Sequence, residues 1–240
     1  MRVWPALLWC AVTLAAAQRL SGLESMSPAT QALQRDDAQN PAFLWVKDGQ
    51  QRFEASCARC HSAASLGGVA ARYQAWDAAL AQPVTLSARI NLCQVRHLKA
   101  EPLPPESDAL LALEAFVALQ SRGQPIQPPV DPRLAAARQQ GARLYAQRIG
   151  QLDFSCAQCH DSQAGRRLAG STIPQGHPTG YPLYRLEWQA LGSLQRRLRH
   201  CMNGVRAEPY AFGSDELTAL ELYLMQRAAG MAIETPAVRP

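Results

Sequence analysis

The sequence predicts an all-α protein: two similar helical domains related by an internal repeat, preceded by an N-terminal arm. Three observations predict it. Glu101-Pro102, Ser107-Asp108, Leu110, Leu113, Glu114 and Gly123 each recur 107 residues later, as Glu208-Pro209, Ser214-Asp215, Leu217, Leu220, Glu221 and Gly230. The motif Cys-x-x-Cys-His occurs once in each half, as Cys57-Ala-Arg-Cys60-His61 and Cys156-Ala-Gln-Cys159-His160. Between the halves, Pro125, Pro128, Pro129 and Pro132 crowd into eight residues. Proline fixes its backbone and lacks an amide proton, so this stretch reads as a stiff linker. The expected boundaries are a leader at 1–17, an arm at 18–40, a first domain at 41–123, a linker at 124–131 and a second domain at 132–240.

Taken in order, Arg2 precedes an apolar run, Leu7 to Leu14, that closes on Ala15-Ala16-Ala17. This is the pattern of a cleavable export signal. Trp9 before Cys10 fits a lipoprotein signal poorly, so a soluble periplasmic protein is expected. No later segment has the roughly 20 apolar residues of a membrane span. The polar stretch Gln18 to Asn40 reads as an arm lying on this chain or on a partner. Helical periodicity from Pro41 to Glu54 leads into the first motif. A Gly67-Gly68 loop, a short helical segment around Tyr73 to Leu80, and Arg89 to Cys93 follow. A helix from Ser107 to Arg122 has a good N-cap in Ser107, an acid at its positive end in Asp108, and a stop at Gly123. The second half repeats the order: a helix from Pro132 to Ile149, the motif, a longer loop to Arg197 and Cys201, and a helix from Ser214 to Ala229. Nine extra residues separate motif from lone cysteine there, expected within a Gly/Pro-containing stretch such as Gln175 to Tyr184.

Composition narrows the function. Aromatic residues make up 7% of the chain, few for filling the interior of two domains, which suits a cofactor. The formal charge is +5, with no dense basic tract interleaved with aromatics. That points to an acidic partner or a small anion and away from nucleic acid.

Two cysteines three apart can each take one vinyl group of a haem as a thioether, and the adjacent histidine then reaches the iron. Cys57, Cys60, Cys156 and Cys159 are therefore expected to attach two c-type haems, with His61 and His160 as iron ligands. A shared four-cysteine zinc site is the alternative, but it leaves the two histidines and the export signal unexplained. For the opposite ligand, the first half offers Cys93, His97 and Lys99, the second His177, His200, Cys201 and Met202. If the repeat places its ligands equivalently, only cysteine serves both copies. A Cys93–Cys201 disulfide is the competing use of these thiols. Arg89 and Cys93, like Arg197 and Cys201, are four apart and share a helix face. Arg197 is the candidate anion contact. Arg196, Arg199 and Arg206 suit haem propionates or a helix C-terminus, and His200 is kept as a group supporting Cys201.

The run Tyr181-Pro-Leu-Tyr-Arg-Leu-Glu-Trp, then Gly192-Ser-Leu-Gln-Arg-Arg-Leu-Arg-His-Cys201-Met-Asn-Gly-Val-Arg-Ala-Glu-Pro-Tyr210, resembles the SoxA family of SoxAX cytochromes. Glu221-Leu-Tyr-Leu and Pro236-Ala-Val-Arg-Pro240 resemble it too. The resemblance implies two cytochrome c domains and a second iron held by His160 and Cys201. It also implies a persulfide on Cys201 as the catalytic group and Arg197 as the substrate-binding residue. Because Cys57, Cys60, His61 and Cys93 are kept, it implies the dihaem kind, with His61 and Cys93 on the first iron. The reaction implied is oxidative coupling of thiosulfate to a cysteine of the SoxYZ carrier, with electrons leaving through haem and a SoxX monohaem partner. Two rivals stand beside it: a carrier-independent thiosulfate dehydrogenase forming tetrathionate, and a plain electron-transfer cytochrome.

Overall fold

The computed structural model describes residues 18–240; the export signal expected at 1–17 lies outside them. The architecture is mainly helical, with three small sheets. No helix among the described residues is long and apolar enough to cross a membrane.

The arm holds α1 (Pro28–Arg35), which lies on this chain's own C-terminal strand. Asn40 Nδ2 donates to Pro236 O at 2.9 Å, and Gln34 Oε1 accepts from Val238 N at 3.1 Å. Further out, Leu20 N donates to Gln175 Oε1 at 2.8 Å. These bonds join the chain's first described residues to its last.

In the first domain α2 (Phe43–Arg52) runs into a wider turn, Phe53–Cys57, that delivers the first motif. The stretch expected to be helical around Tyr73 to Leu80 is instead a hairpin, β1 (Ala75–Asp77) with β2 (Gln82–Val84). Asp77 decides this, because its carboxylate accepts from Ala79 N and Leu80 N and turns the chain back. Thr85 then caps α3 (Leu86–Cys93), and Ser107 caps α4 (Asp108–Leu119) as expected. Eight of the twelve α4 residues are buried, so it lies inside the protein, between α2 and the second domain.

The second domain repeats this. α5 (Ala135–Ala146) crosses α7 (Asp215–Arg227) as α2 crosses α4, and Ser214 caps α7. Glycine permits both crossings: a Cβ on Gly49 would lie 2.0 Å from Ala112 O, and one on Gly141 2.0 Å from Ala219 O. An aromatic pair closes each crossing, Phe53–Phe116 at 5.0 Å and Tyr145–Tyr223 at 5.2 Å. A hairpin, β3 (Arg167–Leu168) with β4 (Ser171–Thr172), projects between motif and lone cysteine. A three-stranded sheet follows, of β5 (Leu183–Arg185), β6 (Ala190–Gly192) and the parallel strand β7 (Ala237–Arg239). Ala75↔Val84 and Leu183↔Gly192 are equivalent pairings 108 residues apart. The nine extra residues therefore lie between the second motif and Leu183, the interval that also holds the β3–β4 hairpin. α6 (Leu194–Gly204), capped by Ser193, carries Arg197 and Cys201.

The proline-rich connection is half packed. Ile126 is 1% exposed and bonded both ways to the C-terminal segment (Ile126 N to Met231 O, Gly230 N to Ile126 O), whereas Val130 is 98% exposed. The domains also meet around a cavity of about 60 Å3 that holds the repeat-equivalent carboxyls of Glu114 and Glu221. Gln74 donates to Glu221 at 2.6 Å, while one Glu114 oxygen is buried without a partner. Burial pushes Glu114 up to about 8 and Glu221 to about 7. The folded state thus holds protons that an unfolded carboxyl gives up near 4.5. Stability is fully present below that pH and is lost as pH rises through 7 to 8. At about 1.4 kcal/mol per unit, at least ~2 kcal/mol should go. That corresponds to a fall in Tm of about 5 °C between pH 5 and 8.5. Glu114→Gln should flatten this dependence in a thermal melt of the haem-loaded protein; an equally steep profile would show that other groups set it.

Candidate functional site

Ser193 Oγ accepts from Arg196 N at 3.1 Å and sets the start of α6. That phase puts Arg197 and Cys201, one turn apart, on one face. Cys201 is a free thiol in direct contact with the His160 side chain, and Cys156 is its neighbour. His160 Nδ1 lies 2.8 Å from Pro174 O. Donating there fixes the ring and leaves the Nε2 lone pair open to a metal. The loop lies close on the ring: a Cβ on Gly176 (φ +71°) would be 3.2 Å from His160 Cβ.

Burial pushes the Cys201 thiol up, but the His160 contact and the charges of Arg197 and Arg185 outweigh it, and its pKa is lowered. Burial and the nearby Cys201 push Cys156 up to about 11. Among the described residues, no carboxylate lies within salt-bridge distance of Arg197.

The first domain brings Cys57, Cys60 and Cys93 together, with Cys93 raised by burial despite Arg89 and Arg96. Cys60 and His61 are exposed. Arg89 is not free as Arg197 is. Its Nη1 lies 2.7 Å from Asp77 Oδ2, and Arg96 grips the same carboxylate at 2.7 and 3.0 Å. These two arginines hold the Asp77 carboxyl well below the usual carboxylate range.

The other candidates separate cleanly. Met202 is packed in the core with Tyr145, Leu217 and Leu220, away from any ligating role. His177 Nδ1 is bonded to Leu20 O at 2.8 Å, and His97 is exposed. His200 is also exposed, stacked 5.8 Å from Trp188. Arg199 bonds Tyr210 O and lies 4.5 Å over Phe212, and Arg196 lies 4.1 Å over Trp188. Cys93 and Cys201 are both free, so no disulfide joins the domains. Among the described residues, the motif cysteines do not converge into a shared zinc site. Asp77 and Arg185 are site residues that the sequence pattern does not single out. The 108-residue register, which sets Arg185 against Asp77, was the signal available for them.

The donors fit covalent haem. Each motif supplies two free thiols three residues apart and a histidine, and in the second domain that histidine faces a further thiol.

A family model described as the SoxA/TsdA cytochrome c domain matches residues 42–126 and again residues 140–233. The chain is 36% identical over 231 residues to the L-cysteine S-thiosulfotransferase subunit SoxA of Pseudaminobacter salicylatoxidans, covering 92% of this chain and 80% of that one. It is 32% identical over 227 residues to the subunit of the same name from Paracoccus pantotrophus, covering 91% and 78%. Among solved structures, that of SoxXA from P. pantotrophus superposes with a TM-score of 0.89 at 31% identity, over 92% of this chain and 87% of that chain.

Proposed function

The chain belongs to the SoxA/TsdA cytochrome c family, and from that premise we propose that it is the SoxA-type subunit of a periplasmic dihaem L-cysteine S-thiosulfotransferase. Its reaction is the oxidative coupling of thiosulfate to a cysteine of a SoxYZ-type carrier. One observation carries the reading: a half-buried thiol, Cys201, faces His160, with an arginine free of any carboxylate one turn away.

Cytochrome c domains hold haem covalently. Here Cys57, Cys60, His61 and Cys93 would hold the first group, and Cys156, Cys159, His160 and Cys201 the second. When bound, haem supplies one-electron acceptance at each iron; the single iron beside Cys201 takes only one of the two electrons, so the coupling calls on a further centre, in a SoxX-type monohaem partner.

Arg197 takes the sulfonate end of thiosulfate in a charge-assisted contact and aims the sulfane sulfur at Cys201. The Cys201 thiolate and the sulfane sulfur form an S–S bond, with loss of two electrons. The carrier thiolate then attacks that sulfane sulfur and displaces the Cys201 thiolate. In balance, thiosulfate and a carrier thiol become the carrier S-thiosulfonate, one proton and two electrons.

Intact mass of the mature protein tests this. Two haem additions are expected, on the 57/60 and 156/159 peptides, with an extra mass of one or two sulfur atoms on the peptide holding Cys201. A single haem would overturn the dihaem assignment, and a peptide linking residues 93 and 201 would overturn the role of those two thiols at the irons. Tetrathionate formed by the purified protein without carrier would identify the carrier-independent dehydrogenase instead.

A further inference from the structure

We infer that Arg185, at the end of β5, is a second substrate-binding arginine, and that with Arg197 it clamps a dianion in front of Cys201. The inference rests on the thiosulfate reading above and adds to it the residue that matches the substrate's second charge.

The chain's two halves supply the comparison. In the first hairpin Asp77 pairs with Gln82; in the second, Arg185 pairs with Ala190, 108 residues on. Each hairpin leads through a capping residue, Thr85 or Ser193, into the helix bearing an arginine and a cysteine four apart. Positions 77 and 185 therefore hold the same place relative to that helix. In the first domain the carboxylate at this place is 3% exposed and is shared by Arg89 and Arg96, a closed trio with no charge left for an incoming anion. In the second domain the acid is replaced by Arg185, and the counterpart of Arg96 is Gly204, where an added Cβ would meet nothing within 4 Å. The carboxylate that neutralises both arginines in the first domain has no counterpart here, and a cation stands in its place.

Arg185 is also held where a ligand could use it. Its side chain is 13% exposed and stacks 5.1 Å over Trp188, the ring that also carries Arg196 and lies beside His200, next to Cys201. One end of the guanidinium is spent on Glu187, at 2.7 Å, whose own side chain is 51% exposed. The Nε–H is buried with no acceptor. A buried donor left unpaired is unfavourable unless something fills it, and a sulfonate oxygen would. Thiosulfate carries two negative charges, and Arg197 alone offers one positive charge.

The test is steady-state thiosulfate oxidation by the haem-loaded protein with its monohaem partner and the carrier. Arg185→Gln is expected to raise the KM for thiosulfate about tenfold, with kcat within about twofold and the haem spectrum unchanged, the pattern of a lost ground-state contact. Arg185→Lys should recover part of that loss, and Glu187→Gln should leave KM unchanged. An unchanged KM in Arg185→Gln would overturn the inference. So would an equal rise in Glu187→Gln, which would mean that the ion pair merely shapes the hairpin. If Arg197→Gln also leaves KM unchanged, the thiosulfate reading itself falls, and the inference with it.

Discussion

Cys201→Ser should lose carrier-dependent thiosulfate oxidation by about a thousandfold or more, the scale on which removing an enzyme's nucleophile acts. A serine oxygen cannot make the S–S bond on which the coupling depends, and no other thiol occupies this place among the described residues. Cys156 is the nearest, but burial and Cys201 itself raise its pKa to about 11, and attachment to haem would consume it. The variant should still carry both haems, because Cys57, Cys60, Cys156 and Cys159 remain. Its spectrum should lose thiolate character at one centre only. Cys93→Ser is the matched control: it should alter the spectrum of the other centre and leave turnover within a few fold, since Arg89 beside it is neutralised by Asp77. Carrier-dependent turnover persisting in Cys201→Ser at the wild-type rate would end the catalytic assignment.

Gly141→Ala should strongly destabilise the second domain. The added Cβ would sit 2.0 Å from Ala219 O and 2.7 Å from Tyr223 Cβ. Both belong to α7, one through its backbone, so the helix must move. Overpacking of this kind costs about 3 kcal/mol, which for a chain of this size lowers Tm by roughly 6 to 12 °C. Gly49→Ala should do the same in the first domain, where Ala112 O is 2.0 Å away. Gly204→Ala, with nothing within 4 Å, is the control; alanine's better helix propensity predicts a change within about 1 kcal/mol, of stabilising sign. Equal melting temperatures for Gly141→Ala and Gly204→Ala would show that the crossing helices adjust without strain.

Much of the molecule is legible in its sequence. Ser107 and Ser214 announce helix starts because a capping hydroxyl needs only the amide two or three residues ahead. The motifs announce haem because spacing alone sets which atoms a vinyl pair can reach. The 107-residue recurrence announces two domains because the same local rules were written twice. The stretch Tyr73 to Leu80 carries a signal of the same local kind in Asp77, which accepts from the amides two and three residues ahead and competes with the helical pattern. Its residues suit a helix, and one carboxylate turns it into a hairpin.

By itself, then, the chain determined its helices, its two attachment motifs and the Arg–Cys pairs, all encoded within a few neighbouring residues. Only the folded molecule decided which pair can act. Asp77 meets Arg89 and Arg96 from 12 and 19 residues away, and Asn40 meets Pro236 from 196 away. Whether an arginine's charge is spent or available depends on what the fold brings against it, and local pattern carries no record of that.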